Sequence, residues 1–461
     1  MNRRALVACA VIIGLLGLAA LPAHAKKKAK SGGANAVVAV IDSGINPYHV
    51  TFRDDSPLAY KHPSTYIPGF PKDAQALRLT LDAPDLPTAL KEDCDEWEKV
   101  ETGKLYWVPG TKIIGGISFQ TQSGSPCTFS GGGSILDING HGTMTGSRAT
   151  SFEYGACKEC RIVAVQFYEK QDALDSVTWA ADNADWIDAE SNSWGPILPA
   201  WEPTGSTLFT AGPPLVRAIE EAAQKHLAFW ASGNGAASRG GVLGHPTIIT
   251  PHLTPSAIIV GGVDAGYVNL WPGFPGHVVS DSCNNWAAHN DSLDESGEKV
   301  GSGTSAATPY AAGGAVYELL KAREILGDQG TGVQDGVVAQ GPKGLVDSGP
   351  LADGKFTLEE WKRLVFVSAT QRPKAQHDDG PPCDVVDGGL YSATPVAWSQ
   401  VPEQYPEYMN IGYGAVDRPA MQLAVDIMLG KSEMPDRSDT DEFFAYDHQV
   451  RETTYGVFSK P

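Results

Sequence analysis

Apolar residues fall along this chain in short solid runs separated by amphipathic stretches. Residues 36–41 read Ala-Val-Val-Ala-Val-Ile and stop at Asp42-Ser43-Gly44. A continuous β-branched run of that length predicts a strand covered on both faces. The same pattern predicts strands over 161–167, 187–194, 227–231 and 257–263, and helices over 172–186 and 213–226. Strands alternating with helices imply a mostly parallel sheet flanked by helices, whose ligands bind beyond the carboxyl ends of the strands. Asp42 stands at one such end. Two stretches break the rhythm: residues 53–112, with seven prolines and the acidic run from Glu92 to Glu98, predict a loop-rich insertion, and the Gly-rich residues 326–355 predict a surface excursion. Residues 431–461 are polar and acidic with scattered aromatics, an acidic C-terminal tail either packed on the body or loose. No internal repeat is visible.

Composition narrows the class. With 461 residues, 42% hydrophobic and 19% charged, the chain has ample material for a core and is too apolar to be disordered. Its 54 acidic against 35 basic residues, a net charge of -19, argue against nucleic acid as a partner, because phosphate binding needs clustered cations. The N-terminus indicates the compartment. A basic start, Arg3-Arg4, precedes an apolar stretch over 5–21 and the small-x-small sequence Ala23-His24-Ala25, the form of a signal peptide (1–25) cleaved after Ala25. The apolar stretch is short of the roughly 20 residues a bilayer span needs, so a secreted or periplasmic protein is expected, with no stable membrane insertion after cleavage. Residues 26–36 read as a linker.

Cys9 belongs to the signal core, leaving cysteines at 94, 127, 157, 160, 283 and 383. An even number in an exported chain is consistent with disulfides, and Cys157-x-x-Cys160 reads as a structural disulfide because no second ligand pair stands at zinc spacing.

Three short signals carry chemistry: Asp42-Ser43-Gly44 after the first strand, His141-Gly142-Thr143 opening one helical stretch, and Gly303-Thr304-Ser305-Ala306-Ala307-Thr308-Pro309 opening another. Asp, His and Ser are the groups of nucleophilic acyl transfer, in which an imidazole oriented by a carboxylate deprotonates a serine hydroxyl. Asp-Ser-Gly alone is weak, and its second copy, Asp347-Ser348-Gly349, reads as a turn. The Gly-Thr-Ser-x-Ala-x-Pro string has five fixed positions and arises by chance on the order of once in a thousand such chains.

With these motifs the chain resembles subtilisin-like (S8 family) serine peptidases, whose triad runs Asp, His, Ser along the sequence. The likeness spans 37–430 with the insertions unmatched, and includes residues 155–165 as the loop and strand after the His helix, and Met144-Thr145 where other residues are commoner. It implies one enlarged peptidase domain, a three-layer α/β/α fold around a central mostly parallel sheet with loop-rich insertions. It further implies a serine endopeptidase acting through Asp42, His141 and Ser305, with Asn234 as oxyanion donor. Ser193, Trp194, Gly195, Ser232 and Gly233 are implied as substrate-binding residues, and the partner as a peptide or protein substrate. No cofactor is required for such chemistry. Calcium is common in the family, and acidic surface loops are compatible with a structural calcium ion, but the EF-hand-like residues 353–360 are rejected, because counting back from Glu360 puts Gly349 and Leu351 where two carboxylate ligands belong. The sequence departs from the family where only residues 26–36 stand in place of an N-terminal prodomain, and where the Asp42–His141 interval is long. That interval reads as a surface elaboration stapled by Cys94 and Cys127, with a lid favouring basic peptides as the sharper reading. The departures also suggest an alternative, a catalytically inactive subtilisin-fold binding or structural protein, which the intact motifs oppose. An esterase is disfavoured because Ser305 lacks the Gly-x-Ser-x-Gly elbow. Substrate specificity and oligomeric state are not legible in the sequence.

Overall fold

The computed structural model describes residues 35–120, 127, 134–168, 170–195, 212–232, 254–263, 277–281, 287–288, 293, 303–327, 337–340, 349–370 and 412–460. The expected signal peptide, most of the expected linker, Gly233, Asn234, Cys283, Cys383, and Asp347 and Ser348 of the expected turn lie outside them.

The first solid apolar run forms β1 (Val37–Asp42), buried along its whole length. It sits inside a sheet with β4 (Ile113–Ser118), β5 (Arg161–Gln166), β6 (Ala189–Asn192), β7 (Leu227–Ala231), β8 (Ile258–Val263) and β9 (Val278–Asp281). Short strands β2 (Gln75–Ala76) and β3 (Tyr106–Trp107) extend one edge. The order is β2-β3-β4-β5-β1-β6-β7-β8-β9, parallel except where β3 meets β4.

Alternation along β1 assigns the layers. Val38 and Val40 face a core shared with α3 (His141–Thr150) and α6 (Thr304–Leu326), represented by Ala149, Ala311 and Val316. Val37, Ala39 and Ile41 face a second core with α4 (Lys170–Asp182) and α5 (Pro213–Lys225), represented by Val177 and Ile219. With its strands covered on both faces, the sheet is the middle of a three-layer α/β/α arrangement.

A buried ion pair ties the layers together. Arg323 of α6 donates from both terminal nitrogens to Asp188, at 3.0 and 2.6 Å, and Asp188 also accepts the Val37 N–H at 2.8 Å. The two side chains are 2% and 1% exposed, so removing the carboxylate takes away the charge that Arg323 faces in this pair, while the Asn35 carbonyl still accepts from its Nη1 at 2.8 Å. Asp188→Ala is expected to lower unfolding free energy by about 3–5 kcal/mol, read from urea midpoints; a loss under about 1 kcal/mol contradicts this accounting.

Residues 53–112 are more than loops. Besides β2 and β3 they form α1 (Leu86–Glu92) and α2 (Cys94–Trp97) and send Leu77, Leu86, Leu90, Trp97 and Tyr106 into the α3/α6 core. Within the acidic run Asp93 points inward, accepting from Tyr48 Oη at 2.9 Å and from Thr80 N and Oγ1 at 2.6 and 2.7 Å. Disulfides join Cys94 to Cys127 and Cys157 to Cys160.

The acidic residues after 430 also fold onto the body. After β10 (Val337–Gln340), β11 (Lys355–Thr357), α7 (Leu358–Ser368) and α8 (Arg418–Met428) comes α9 (Ser438–Phe458). Its Phe444 packs against Tyr413 and His277, and its Asp441 accepts from Arg363 Nη2 at 2.8 Å. Glu360, at the end of the EF-hand-like stretch, closes a capping box with Thr357 at the start of α7. No helix among the described residues is long and apolar enough to cross a membrane.

Candidate active site

The site lies at the carboxyl ends of β1 and β5, where the helices of one face begin. Asp42, the last residue of β1, is 5% exposed and stands beside Gln166, the last residue of β5. Its carboxylate accepts the Ser43 N–H at 2.7 Å and Thr145 Oγ1 at 3.2 Å. His141 Nδ1 stands 2.8 and 2.9 Å from its two oxygens. A hydrogen on Nδ1 directed at Asp42 leaves Nε2 as the basic nitrogen.

His141 owes its position to the turn before it. Gly140 adopts a left-handed φ of 97° and His141 opens α3. Asp137, fully buried, accepts the N–H groups of Asn139 (3.0 Å), Gly140 (2.8 Å) and Thr143 (2.7 Å) together with Thr143 Oγ1 (2.6 Å). The N–H groups of Gly140 and Thr143 are among the donors a helix start leaves without intrahelical partners. Ser43 fastens this turn to β1: its hydroxyl donates to Asp137 at 2.9 Å and accepts the Gly142 N–H at 2.8 Å. The two turns approach so closely that a Cβ at residue 142 would lie 2.2 Å from the Gly44 carbonyl oxygen, which only glycine avoids.

Electrostatics follow from that geometry. Burial lowers the His141 pKa, but the Asp42 charge, its hydrogen bond and the more distant Asp137 outweigh it, so the imidazole titrates above its ordinary range. Nearby, Tyr168 donates to the Ser43 carbonyl at 3.5 Å, and burial with Asp137 and Asp42 holds its phenol protonated. The His141 side chain is 36% exposed, enough to meet a ligand.

Ser305 is the second residue of α6, after Gly303 at a φ of 72°. Its Oγ donates to the Ser193 carbonyl at 3.2 Å, while Ser193 Oγ donates to the Ser305 carbonyl at 2.9 Å. Among the described residues no hydrogen bond joins Ser305 to His141. Such contacts are often loose in ligand-free enzymes and tighten with substrate. The two helix starts are wedged together by Met144 of α3 against Ala306 of α6, with Ala287.

The remaining expected site residues divide. Ser193 and Gly195 follow β6, and Ser232 follows β7 with its N–H on the Val260 carbonyl at 2.9 Å. Trp194 is held beneath this rim: its Nε1 donates to the Ile41 carbonyl at 2.9 Å and its ring packs on Phe167 and Trp230. Sequence reasoning missed Asp137, Thr145 and the hydroxyl of Ser193. An acidic residue four positions before a helix-opening histidine was the available signal for Asp137.

Among the described residues, the one group of three metal-ligating types is Cys94, Glu98 and Cys127. Both cysteines are spent in a disulfide, so this set does not suit calcium, which takes oxygen ligands.

An acid–imidazole pair at strand ends with a serine on the adjoining helix start is the arrangement of serine hydrolases. The subtilase family model (Peptidase S8) matches residues 33–325, and the chain belongs to that family. It is a subtilisin-like serine endopeptidase. Among solved structures it is similar to a cold adapted subtilisin-like serine proteinase, with 18% identity over 64% of this chain and 78% of that one and a TM-score of 0.36. It is also similar to the epidermin leader peptide processing serine protease of Staphylococcus aureus, with 12% identity over 86% and 76% of the two chains and a TM-score of 0.43. No curated protein matches the chain.

Proposed function

We propose that this endopeptidase cuts peptide bonds through Asp42, His141 and Ser305. The observation that carries the reading is the contact of His141 Nδ1 with Asp42 at 2.8 Å, on a helix packed against the one that bears Ser305. Asp42 holds the imidazole in the tautomer whose Nε2 accepts the Ser305 proton. Ser305 Oγ then bonds to the scissile carbonyl carbon, and the proton passes from His141 to the leaving amine. Water, deprotonated in turn by His141, releases the acyl group and restores the serine. The negative oxygen of each tetrahedral intermediate is held by the Ser305 backbone N–H at the start of α6 and by the Asn234 side chain.

Substrate is a peptide in extended form, lying along Ser193, Trp194, Gly195, Ser232 and Gly233 by backbone hydrogen bonds. The N-terminal signal and the disulfides support a secreted or periplasmic site of action. No cofactor takes part in the chemistry, and the acidic charge disfavours nucleic acid.

Hydrolysis of a denatured protein by the purified chain, blocked by a serine-reactive fluorophosphonate, is the expected result. Folded protein that hydrolyses nothing would indicate the inactive binding or structural protein instead. Asn234→Ala is expected to lower kcat by about 10²–10³ with little change in KM, because the lost donor acts on charge that develops only in the transition state. Unchanged kcat in that variant removes Asn234 from the site.

A further inference from the structure

Pro309 lies inside α6, four residues after Ser305. In an α-helix the N–H of residue 309 would donate to the carbonyl of residue 305. Proline has no N–H, and its ring crowds the carbonyl four residues back. The Ser305 carbonyl therefore has a lone pair that the helix does not fill at residue 309, and Ser193 Oγ donates to it at 2.9 Å. The exchange runs both ways, since Ser305 Oγ donates to the Ser193 carbonyl at 3.2 Å. Ser193 is 6% exposed and follows β6, a central strand of the sheet. Its hydroxyl thus reaches from the rigid sheet to the backbone of the residue that carries the nucleophile.

We propose that Ser193 is a positioning residue for Ser305, its hydroxyl replacing the helical N–H that Pro309 withholds and so fixing the Ser305 backbone and Oγ relative to His141. This rests on Ser305 being the nucleophile. The proline serves the same end: it keeps the Ser305 carbonyl out of the ladder and available to the sheet. The role is separate from any contact of the Ser193 backbone with substrate, because it resides in the side chain.

The pair of groups makes a test with internal rescue. Ser193→Ala removes the hydroxyl that donates to the Ser305 carbonyl, and kcat is expected to fall roughly ten- to a hundred-fold with KM changed less than about threefold. Ser193→Thr, which keeps the hydroxyl, is expected to recover most of that loss. Pro309→Ala restores an N–H to the helix, so Ser193→Ala/Pro309→Ala is expected to turn over faster than Ser193→Ala. The rate at which a fluorophosphonate phosphonylates Ser305, with loss of fluoride, should follow the same order in protein shown by circular dichroism to be folded. Wild-type kcat in folded Ser193→Ala, or a double variant no faster than the single one, overturns the proposal. Wild type and Ser305→Ala run in parallel keep the two readings apart. If wild type is not labelled at Ser305, the nucleophile assignment fails; if it is labelled and only the Ser193 series is flat, the positioning role alone fails.

Discussion

Ser305→Ala is expected to lower kcat by about 10⁶-fold while leaving the fold and peptide binding in place. The magnitude follows from the chemistry assigned to the hydroxyl. Without Oγ there is no acyl-enzyme, and hydrolysis falls back on direct attack by water, helped only by binding and the oxyanion donors. The structural cost is small, because the hydroxyl's one described bond is a 3.2 Å donation to a carbonyl at the rim of the site. Thermal melting within a few degrees of wild type, with residual turnover near background, is the predicted pair of results. Turnover of purified Ser305→Ala at wild-type levels would place the nucleophile elsewhere.

Asp42→Asn is expected to cost about 10⁴-fold in kcat. An amide cannot hold the Nδ1 hydrogen as a carboxylate does, so the tautomer with a basic Nε2 is no longer favoured, and the imidazolium formed during the reaction loses its counter-charge. The pH profile carries a second signature. In the wild type the Asp42 charge and hydrogen bond overcome burial and raise the His141 pKa, while Asp137 adds a smaller push in the same direction. The base works only when neutral, so kcat/KM should be fully developed above that raised pKa and fall as pH drops through it, with a midpoint above the ordinary value of about 6.5. With Asp42 neutral, burial gains weight and the acid limb should move to lower pH. An acid limb that stays in place would mean that another group controls it.

The sequence made the centre of this fold legible because β1, β5, β7 and β8 each hold an apolar run, whose removal from water requires cover on both faces. It left β4 unread because Gly115 and Gly116 interrupt the pattern. The structure supplies the reason for one of them: a Cβ on Gly116 would lie 2.4 Å from Ile135 Cδ1. Residues 187–194, read as one strand, form β6 only from Ala189 to Asn192, although the Asp188 N–H still donates to the Val37 carbonyl at 3.1 Å. The insertion looked like loops because its two-residue strands and short helices are below the length at which periodicity speaks. The acidic tail hid a docked helix because two of its anchors, Phe444 and Asp441, are an isolated aromatic and a carboxylate in a polar segment.

The same contrast holds at the site. As candidates for the proposed triad, Asp42, His141 and Ser305 were legible because each stands in a motif that also dictates its local backbone. The roles of Asp137 and of the Ser43 hydroxyl were not, since only the folded chain brings the two turns together, and the acidic position before His141 was the one signal for the former. Nor does sequence spacing alone show that Pro309 leaves the Ser305 carbonyl to a hydroxyl across the sheet.

The most direct measurement is site-resolved labelling. The purified protein is treated with a fluorophosphonate, digested, and the adduct located by peptide mass, in wild type and in His141→Ala. The account predicts one adduct, on Ser305, that is lost when His141 is removed. Folded wild-type protein that takes up no label, or takes it on another serine, would contradict it.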